Sequence, residues 1–136
     1  MSSGRGLVID ASAAADLLRP GAAGEAVARA VEDGELHAPD LIDVEVPSAI
    51  ARWERAGETT APHAARSLGR YARLPIERHP GRSLIGAVWD LRRGVRIADA
   101  YYIALAQALD VALITTDLRL GRACREQSLC DVMAIG

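Results

Sequence analysis

Residues 6–18, GLVIDASAAADLL, place an acid between a short apolar run and an alanine-rich segment. The run at 7–9 is typical of a buried strand, and the alanines that follow predict a helix. Asp10 stands at the end of that strand, where desolvating a charge is costly. The pattern returns at 112–115, ALIT, which Asp117 follows two residues later. An acid placed twice at the end of a buried strand suggests a functional role for that edge of the fold.

The rest of the chain alternates apolar runs with segments of helical spacing. Runs suited to strands lie at 7–9, 36–38, 74–76, 112–115 and 132–135. Helical spacing follows Ser12 and covers about 22–32, 41–56, 60–73, 83–93, 98–109 and 118–127. This alternation predicts an α/β fold in which helices cover both faces of a parallel sheet. Ligands bind outside the carboxyl ends of such strands, so Asp10 and Asp117 converge if their strands are neighbours.

The length of 136 residues predicts one domain, residues 1–136, with a core that needs no disulfide or structural metal. No apolar run is long enough to span a membrane, and the N-terminal MSSGRG lacks a signal-peptide pattern, so we expect a cytoplasmic protein. The spacing of Cys124 and Cys130 matches no common zinc pattern, which favours two small apolar side chains.

All 16 basic residues are arginine. The absence of lysine excludes a Walker-type phosphate loop and Schiff-base chemistry, because both need an amine. The net charge of −2 argues against a protein that coats nucleic acid. If four of the 18 acids are pooled in one metal site, however, the remaining surface is slightly basic.

Three of the candidate acids also have a structural interpretation as helix caps. Ser12 is placed to cap the first helix, so Asp10 is surplus as a cap and a functional role is favoured. Asp99 lies in the first turn of a helix that is apolar nearly all round, where the helix dipole favours an acid. Asp117 would cap the next helix, although the hydroxyl of Thr115 shares the same strand end.

Glu45 is the fourth candidate, on the helix predicted over 41–56. Asp40 is placed to cap this helix, and Asp43 and Glu45 cannot face the same site because residues two apart on a helix point in different directions. Pro47 is unusual there, since proline is tolerated only in a first turn or at a kink.

Carboxylates a few ångströms apart repel one another and raise each other's pKa. With no lysine and few arginines expected nearby, a divalent cation would resolve this repulsion. Mg²⁺ and Mn²⁺ prefer oxygen ligands, and Mg²⁺ keeps waters that leave room for substrate phosphates. The four acids therefore predict metal-dependent phosphoryl chemistry.

Four segments in this order resemble PIN-domain ribonucleases: VIDAS at 8–12, an Asp-Leu-x-x-x-Glu stretch ending at Glu45, ADAYYIALA at 98–106 and ITTD at 114–117. Their spacing and the chain length are similar to those of the VapC toxins of bacterial toxin–antitoxin pairs. The resemblance covers essentially the whole chain. It implies a three-layer α/β/α sandwich with a parallel sheet of about five short strands.

The resemblance implies that Asp10 and Asp99 are the principal metal ligands. Glu45 and Asp117 would complete the acidic pocket through waters or a second ion. The implied activity is Mg²⁺- or Mn²⁺-dependent endonucleolytic cleavage of RNA, which stops translation. The implied partners are the RNA substrate, a VapB-type antitoxin whose tail blocks the pocket, and a second copy in a homodimer.

Further residues receive roles by the same resemblance or by chemistry. Ser12 would line the pocket, and Thr115 would position the metal-bound water or the loop. Guanidinium groups match phosphate oxygens, so Arg96, Arg119 and Arg122 are candidates for the RNA backbone, the alternative being ordinary surface arginines. Of the two tyrosines at 101–102, either would stack on bases, although at least one is expected in the core.

The sequence departs from the family at Ser48, where an asparagine is common. Other functions stay open at this point. Receiver-like signalling domains and haloacid-dehalogenase phosphatases also gather acids around Mg²⁺, but both rely on a lysine that this chain lacks. A catalytically inert PIN-like domain that binds RNA or a partner is a further alternative, against which the complete set of four acids argues.

Overall fold

The computed structural model describes residues 6–136. The part of MSSGRG before Gly6, on which the expected cytoplasmic location rests, lies outside the described residues. The strands are β1 (Gly6–Ile9), β2 (Glu35–Pro39), β3 (Ile76–His79), β4 (Ala112–Thr115) and β5 (Val132–Ala134). These five form one parallel sheet in the order β3-β2-β1-β4-β5.

The α-helices of the described residues are α1 (Ala11–Leu17), α2 (Ala22–Ala30), α3 (Ile42–Arg55), α4 (Ala61–Arg73), α5 (Ile85–Leu91), α6 (Ile97–Leu109) and α7 (Leu118–Glu126). Connections between parallel strands are right-handed, and the sheet order reverses direction at β1. The helices α1 to α4 therefore cover one face of the sheet and α5 to α7 the other, with α6 lying across β1, β2 and β4. The predicted three-layer α/β/α fold is confirmed.

Two predicted segments differ from the structure. The strand predicted at 74–76 begins only at Ile76, because α4 continues to Arg73 and Pro75 has no N–H to donate to a ladder. The helix predicted at 83–93 begins as a 3-10 turn, Gly81–Leu84, ahead of α5. The other predicted boundaries agree to within about two residues, the usual uncertainty of helix ends.

The central strands and α6 supply most of the core. Val8, Ile9, Leu113 and Ile114 have no exposed surface, and α6 buries Ala100 and the run 102–106. The prediction of a buried α6 is confirmed.

The two cysteines lie near each other without forming a disulfide bond. Cys124 is buried, and its sulfur is 4.0 Å from that of Cys130. This distance is well beyond a disulfide bond of about 2.0 Å. Across residues 6–136, none of the helices combines the length and the apolar character that crossing a bilayer requires.

Candidate active site

The strands β1 and β4 are neighbours at the centre of the sheet, with Ile9 opposite Ile114. The condition for the convergence of Asp10 and Asp117 is therefore met. The crossovers also reverse direction at β1, and a switch point of this kind opens a crevice beyond the strand ends. A cavity of about 420 Å³ lies at this place.

Carboxylates from four separate elements line this cavity: Asp10, Glu45, Asp99 and Asp117. Asp10 follows β1 and Glu45 lies on α3. Asp99 lies in the first turn of α6, and Asp117 is the N-cap of α7. Among residues 6–136, no three of these side chains bring their ligand atoms within 4.8 Å of one another. The acids therefore surround the cavity at a wide spacing.

Asp10 is the most buried of the four, with 4% of its surface exposed. Its Oδ1 accepts hydrogen bonds from the Ser12 hydroxyl at 2.7 Å and the Ala13 N–H at 2.9 Å, and its Oδ2 accepts one from the Thr115 hydroxyl. Burial raises the pKa of Asp10 to about 6 against the opposing effect of these bonds, and the charge of Asp99 adds a smaller upward push. Desolvation, more than repulsion between the acids, makes this anion costly, which corrects the expectation from charge alone.

Asp10 itself caps α1, so the prediction that Ser12 takes this role is wrong. The bond from the Ala13 N–H to Oδ1 of Asp10 has the usual N-cap geometry. The Ser12 hydroxyl donates to Asp10, accepts from the Thr116 N–H at 3.2 Å and lines the cavity. One carboxylate thus both caps a helix and faces the cavity.

Two of the acids are paired with arginines, which corrects the expectation that few arginines lie nearby. Oδ2 of Asp99 is 3.3 Å from Nε of Arg96, and Oδ2 of Asp117 is 3.2 Å from Nη2 of Arg119. Burial opposes ionisation of Asp117, but hydrogen bonds from the Leu120 N–H and the arginine together leave its pKa lowered. Both arginine side chains are more than half exposed, so solvent screens these pairs and they separate at little cost.

Glu45 and Asp43 face different partners, as their spacing on the helix predicts. Glu45 lines the cavity and accepts a hydrogen bond of 2.7 Å from the Tyr102 hydroxyl. Burial, and then this bond, raises the pKa of Tyr102 well above its ordinary value. Tyr102 is 2% exposed, which confirms the expectation that one tyrosine belongs to the core. Asp43 binds Arg78 at 2.9 Å and Tyr71 at 2.7 Å, away from the cavity.

Asp99, for which capping was one of two interpretations, and Asp40, which was predicted to cap α3, are not N-caps. Asp99 is the third residue of α6, whose N-cap Arg96 makes no capping bond through its side chain. Asp40 precedes α3, but its Oδ1 accepts from the Gly81 N–H at 3.1 Å. Pro47 is the sixth residue of α3, beyond its first turn.

Some predicted pocket residues do not line the cavity, and a charged residue that lines it was missed. Thr115 is fully buried behind Asp10, and Arg122 is exposed elsewhere on α7. Arg52 does line the cavity. Arg52 follows Glu45 by seven residues, which places both on the same face of α3, two turns apart. This spacing is the sequence signal that could have identified Arg52.

A basic hollow of about 510 Å³ adjoins the acidic cavity and shares Arg96 and Asp99 with it. Its arginines are Arg92, Arg93, Arg96 and Arg119. Arg119 therefore belongs to this hollow and not to the acidic cavity itself. Positive and negative charge lie side by side at this edge of the molecule.

The donor set of the acidic cavity fits a hard divalent cation. All four acids offer carboxylate oxygens, the ligands that Mg²⁺ and Mn²⁺ prefer. A cation beside Asp10 favours the anionic form that burial disfavours.

Comparisons with known proteins place the chain in a family. The PIN domain family model matches residues 7–126. Ribonuclease VapC9 of Mycobacterium tuberculosis is 39% identical over 130 residues, which is 95% of this chain and 98% of that protein. Ribonuclease VapC3 of the same organism is 39% identical over 118 residues, 86% of each chain.

Solved structures share the fold. VapBC2 from Rickettsia felis, bound to a DNA fragment from its promoter, superposes with a TM-score of 0.66 at 10% identity and covers 96% of this chain and 99% of that one. PAE2754 from Pyrobaculum aerophilum has a TM-score of 0.59 at 21% identity, with 94% of each chain covered.

Proposed function

Because this chain belongs to the PIN-domain family, and because curated relatives that cover most of it are VapC ribonucleases, we propose that it is an endoribonuclease toxin. It acts in the cytoplasm as one member of a type II toxin–antitoxin pair, cleaves RNA phosphodiesters with a divalent metal and inhibits translation. The observation that supports this proposal most strongly is the meeting of four carboxylates, one of them buried, at the switch point of a parallel sheet.

Asp10 and Asp99 are the proposed principal ligands, and Glu45 and Asp117 complete the set. Bound by them, Mg²⁺ or Mn²⁺ supplies a water of lowered pKa and stabilises charge on the leaving oxygen. The set contains no nitrogen or sulfur, which favours these two ions over zinc.

The protein's own contribution is to hold the carboxylates in place before substrate arrives. Three hydrogen bonds fix Asp10, two backbone N–H groups fix Asp117, and the Tyr102 hydroxyl fixes Oε1 of Glu45. The second oxygen of Glu45 is then available to orient a water or accept its proton. Groups oriented in advance need no reorganisation during the reaction, which is where electrostatic catalysis gains most.

The basic hollow is the proposed path of the RNA backbone. Arg96 and Arg119 leave their carboxylates at little cost, and phosphate oxygens match their guanidinium groups in pairs. A chain of net charge −2 thereby presents local positive charge beside its catalytic acids.

The proposed protein partners are a VapB-type antitoxin and a second copy of the chain. A cationic side chain of the antitoxin tail would pair with the acids of the cavity and exclude substrate. The homodimer contact is assigned to α5, where Ile85 and Trp89 lie one turn apart and are 54% and 59% exposed.

Cleavage of RNA by matched variants tests the proposal. Glu45→Gln is expected to lower the rate in Mg²⁺ by roughly 100-fold or more, the usual scale for losing an acid–base group. Asp99→Asn should also lower the rate strongly, because it removes a proposed metal ligand. Asp43→Asn is the control, because Asp43 lies two residues from Glu45 on the same helix but contacts Arg78 and Tyr71. Cleavage at the wild-type rate by either cavity variant contradicts the proposal. Failure of the wild-type protein to take up Mn²⁺ at millimolar concentration favours the inert, RNA- or partner-binding alternative.

A further inference from the structure

A second group of metal-ligating side chains lies at the edge of the sheet, on β2 and β3. The register pairs His37 with Glu77, and His79 follows Glu77 by two residues. Residues two apart on a strand project from the same face, so all three side chains share one face of the sheet. Arg78, which lies between two of them, points to the opposite face, where it pairs with Asp43.

The spacing of the three side chains matches the requirements of one small ion. Nδ1 of His37 is 2.9 Å from Nε2 of His79 and 3.7 Å from Oε1 of Glu77, and Nε2 of His79 is 4.0 Å from Oε2 of Glu77. In a tetrahedral zinc site with bonds near 2.05 Å, neighbouring ligands lie about 3.3 Å apart. The three distances bracket this value, although the two to Glu77 end on different oxygens of its carboxylate. The carboxylate must therefore turn to present one oxygen to the ion.

The two histidines are held in position, and the glutamate is free to adjust. The histidine side chains are 15% and 22% exposed, whereas that of Glu77 is 67% exposed. A distance of 2.9 Å between two imidazole nitrogens means that one ring donates an N–H to the lone pair of the other. A metal ion that replaces this shared proton requires the two ring nitrogens to part by only about 0.4 Å, and the carboxylate offsets part of its charge.

We propose that His37, Glu77 and His79 form a zinc site that ties β3 to β2. Two imidazoles and a carboxylate are typical zinc ligands, whereas Mg²⁺ prefers oxygen alone. The strand β3 lies at one edge of the sheet and pairs on one side only, so a link between β2 and β3 would secure an edge strand. The site is separate from the acidic cavity, and the two would select different ions.

Calorimetric titration with zinc tests the site in the full-length, chelator-treated protein. Millimolar Mg²⁺ is present throughout to occupy the acidic cavity. The wild-type protein is expected to take up one equivalent of Zn²⁺, and His37→Asn and His79→Asn to lose it. His63→Asn is the matched control, because His63 is the third of the chain's three histidines and lies exposed on α4. Asp99→Asn should also retain the zinc equivalent, which separates this result from that of the proposed nuclease site.

Thermal unfolding provides a second readout. Zinc at about 100 times its dissociation constant should raise the Tm of the wild-type protein by roughly 10 °C. The same addition should leave the Tm of His79→Asn unchanged. An equal rise in both proteins, or equal zinc uptake by them, overturns the proposal.

Two further measurements do not depend on whether a histidine variant folds. Glu77 is exposed, so Glu77→Gln should fold normally and bind zinc more weakly than the wild-type protein. Side-chain nitrogen NMR of the wild-type protein should show zinc shifting the resonances of His37 and His79. Zinc that shifts only His63, or no histidine, overturns the proposal.

Discussion

Replacing Asp10 with asparagine should stabilise the metal-free protein at neutral pH while abolishing its proposed activity. The carboxylate is 4% exposed, and burial raises its pKa from 3.8 to about 6. Between these two values the folded state keeps a proton that the unfolded chain has already released. The stability of the folded protein therefore falls as the pH rises through this window. Above the window, the full free-energy cost of burying the ionised Asp10 carboxylate is present.

The size of the change in the free energy of unfolding follows from the pKa shift of Asp10. About two pKa units at 1.36 kcal/mol each give a cost of roughly 3 kcal/mol for the buried anion. Asparagine avoids this cost and retains an oxygen for the Ala13 N–H, but its amide faces the Thr115 hydroxyl, which must then turn to another acceptor. One weakened hydrogen bond costs about 1 kcal/mol. Asp10→Asn should therefore be less stable than the wild type by about 1 kcal/mol near pH 3.5 and more stable by about 2 kcal/mol at pH 7.5.

Urea unfolding followed by tryptophan fluorescence, with a chelator present, measures this difference at several pH values. Asp90→Asn serves as the control, because Asp90 is exposed on α5 and its replacement should leave the pH profile of stability unchanged. A difference between wild type and Asp10→Asn that is the same at pH 3.5 and 7.5 would refute the reasoning. Added Mg²⁺ should stabilise the wild type and have little effect on the variant.

Two other substitutions probe the surroundings of the acids. Tyr102→Phe removes the hydrogen bond of 2.7 Å to Glu45; kcat should fall roughly tenfold with KM unchanged, since a bond to a charged group is worth about 1.5 kcal/mol or more. A rise in KM alone would show that Tyr102 does not position Glu45. Arg93→Ala, in the basic hollow, should raise KM and reduce the salt dependence of RNA binding by about 0.7 in its logarithmic slope, the value for one phosphate contact on a single strand. Arg125→Ala, which removes an exposed arginine outside that hollow, should do neither, and equal effects of the two changes would contradict the proposed RNA path.

The fold was predictable because its signals are local. Runs such as 112–115 and the nearly all-apolar α6 have no stable alternative to burial, and their order along the chain sets the class of fold. The error at β3 is also local in origin. Leu74 belongs to the apolar run by composition, but it ends a helix, and Pro75 delays the strand.

The candidate acids were predictable for the same reason, since each stands at a strand end or in the first turn of a helix. The error over the cap of α1 came from a helix start misplaced by one residue, which moved the capping role from Asp10 to Ser12. Arg96 and Asp99 are only three residues apart, yet the expectation that few arginines lie near the acids overlooked their ion pair. The contacts of Tyr102 with Glu45 and of His37 with His79 join residues 57 and 42 apart, and such contacts depend on packing and strand register that local patterns do not determine.

The burial of Asp10 links the stability of the fold to its proposed chemistry. A carboxylate exposed to water would cost the fold nothing and would also hold a hydrated cation weakly. In the cavity, the anion is destabilised until a cation arrives, so an ion that binds only the folded state offsets a cost of roughly 3 kcal/mol, equivalent to about 100-fold in affinity. A residue selected only for stability would be asparagine or serine, both good helix caps. The presence of an acid at this position, against the stability of the metal-free protein, is consistent with the proposed metal-binding role.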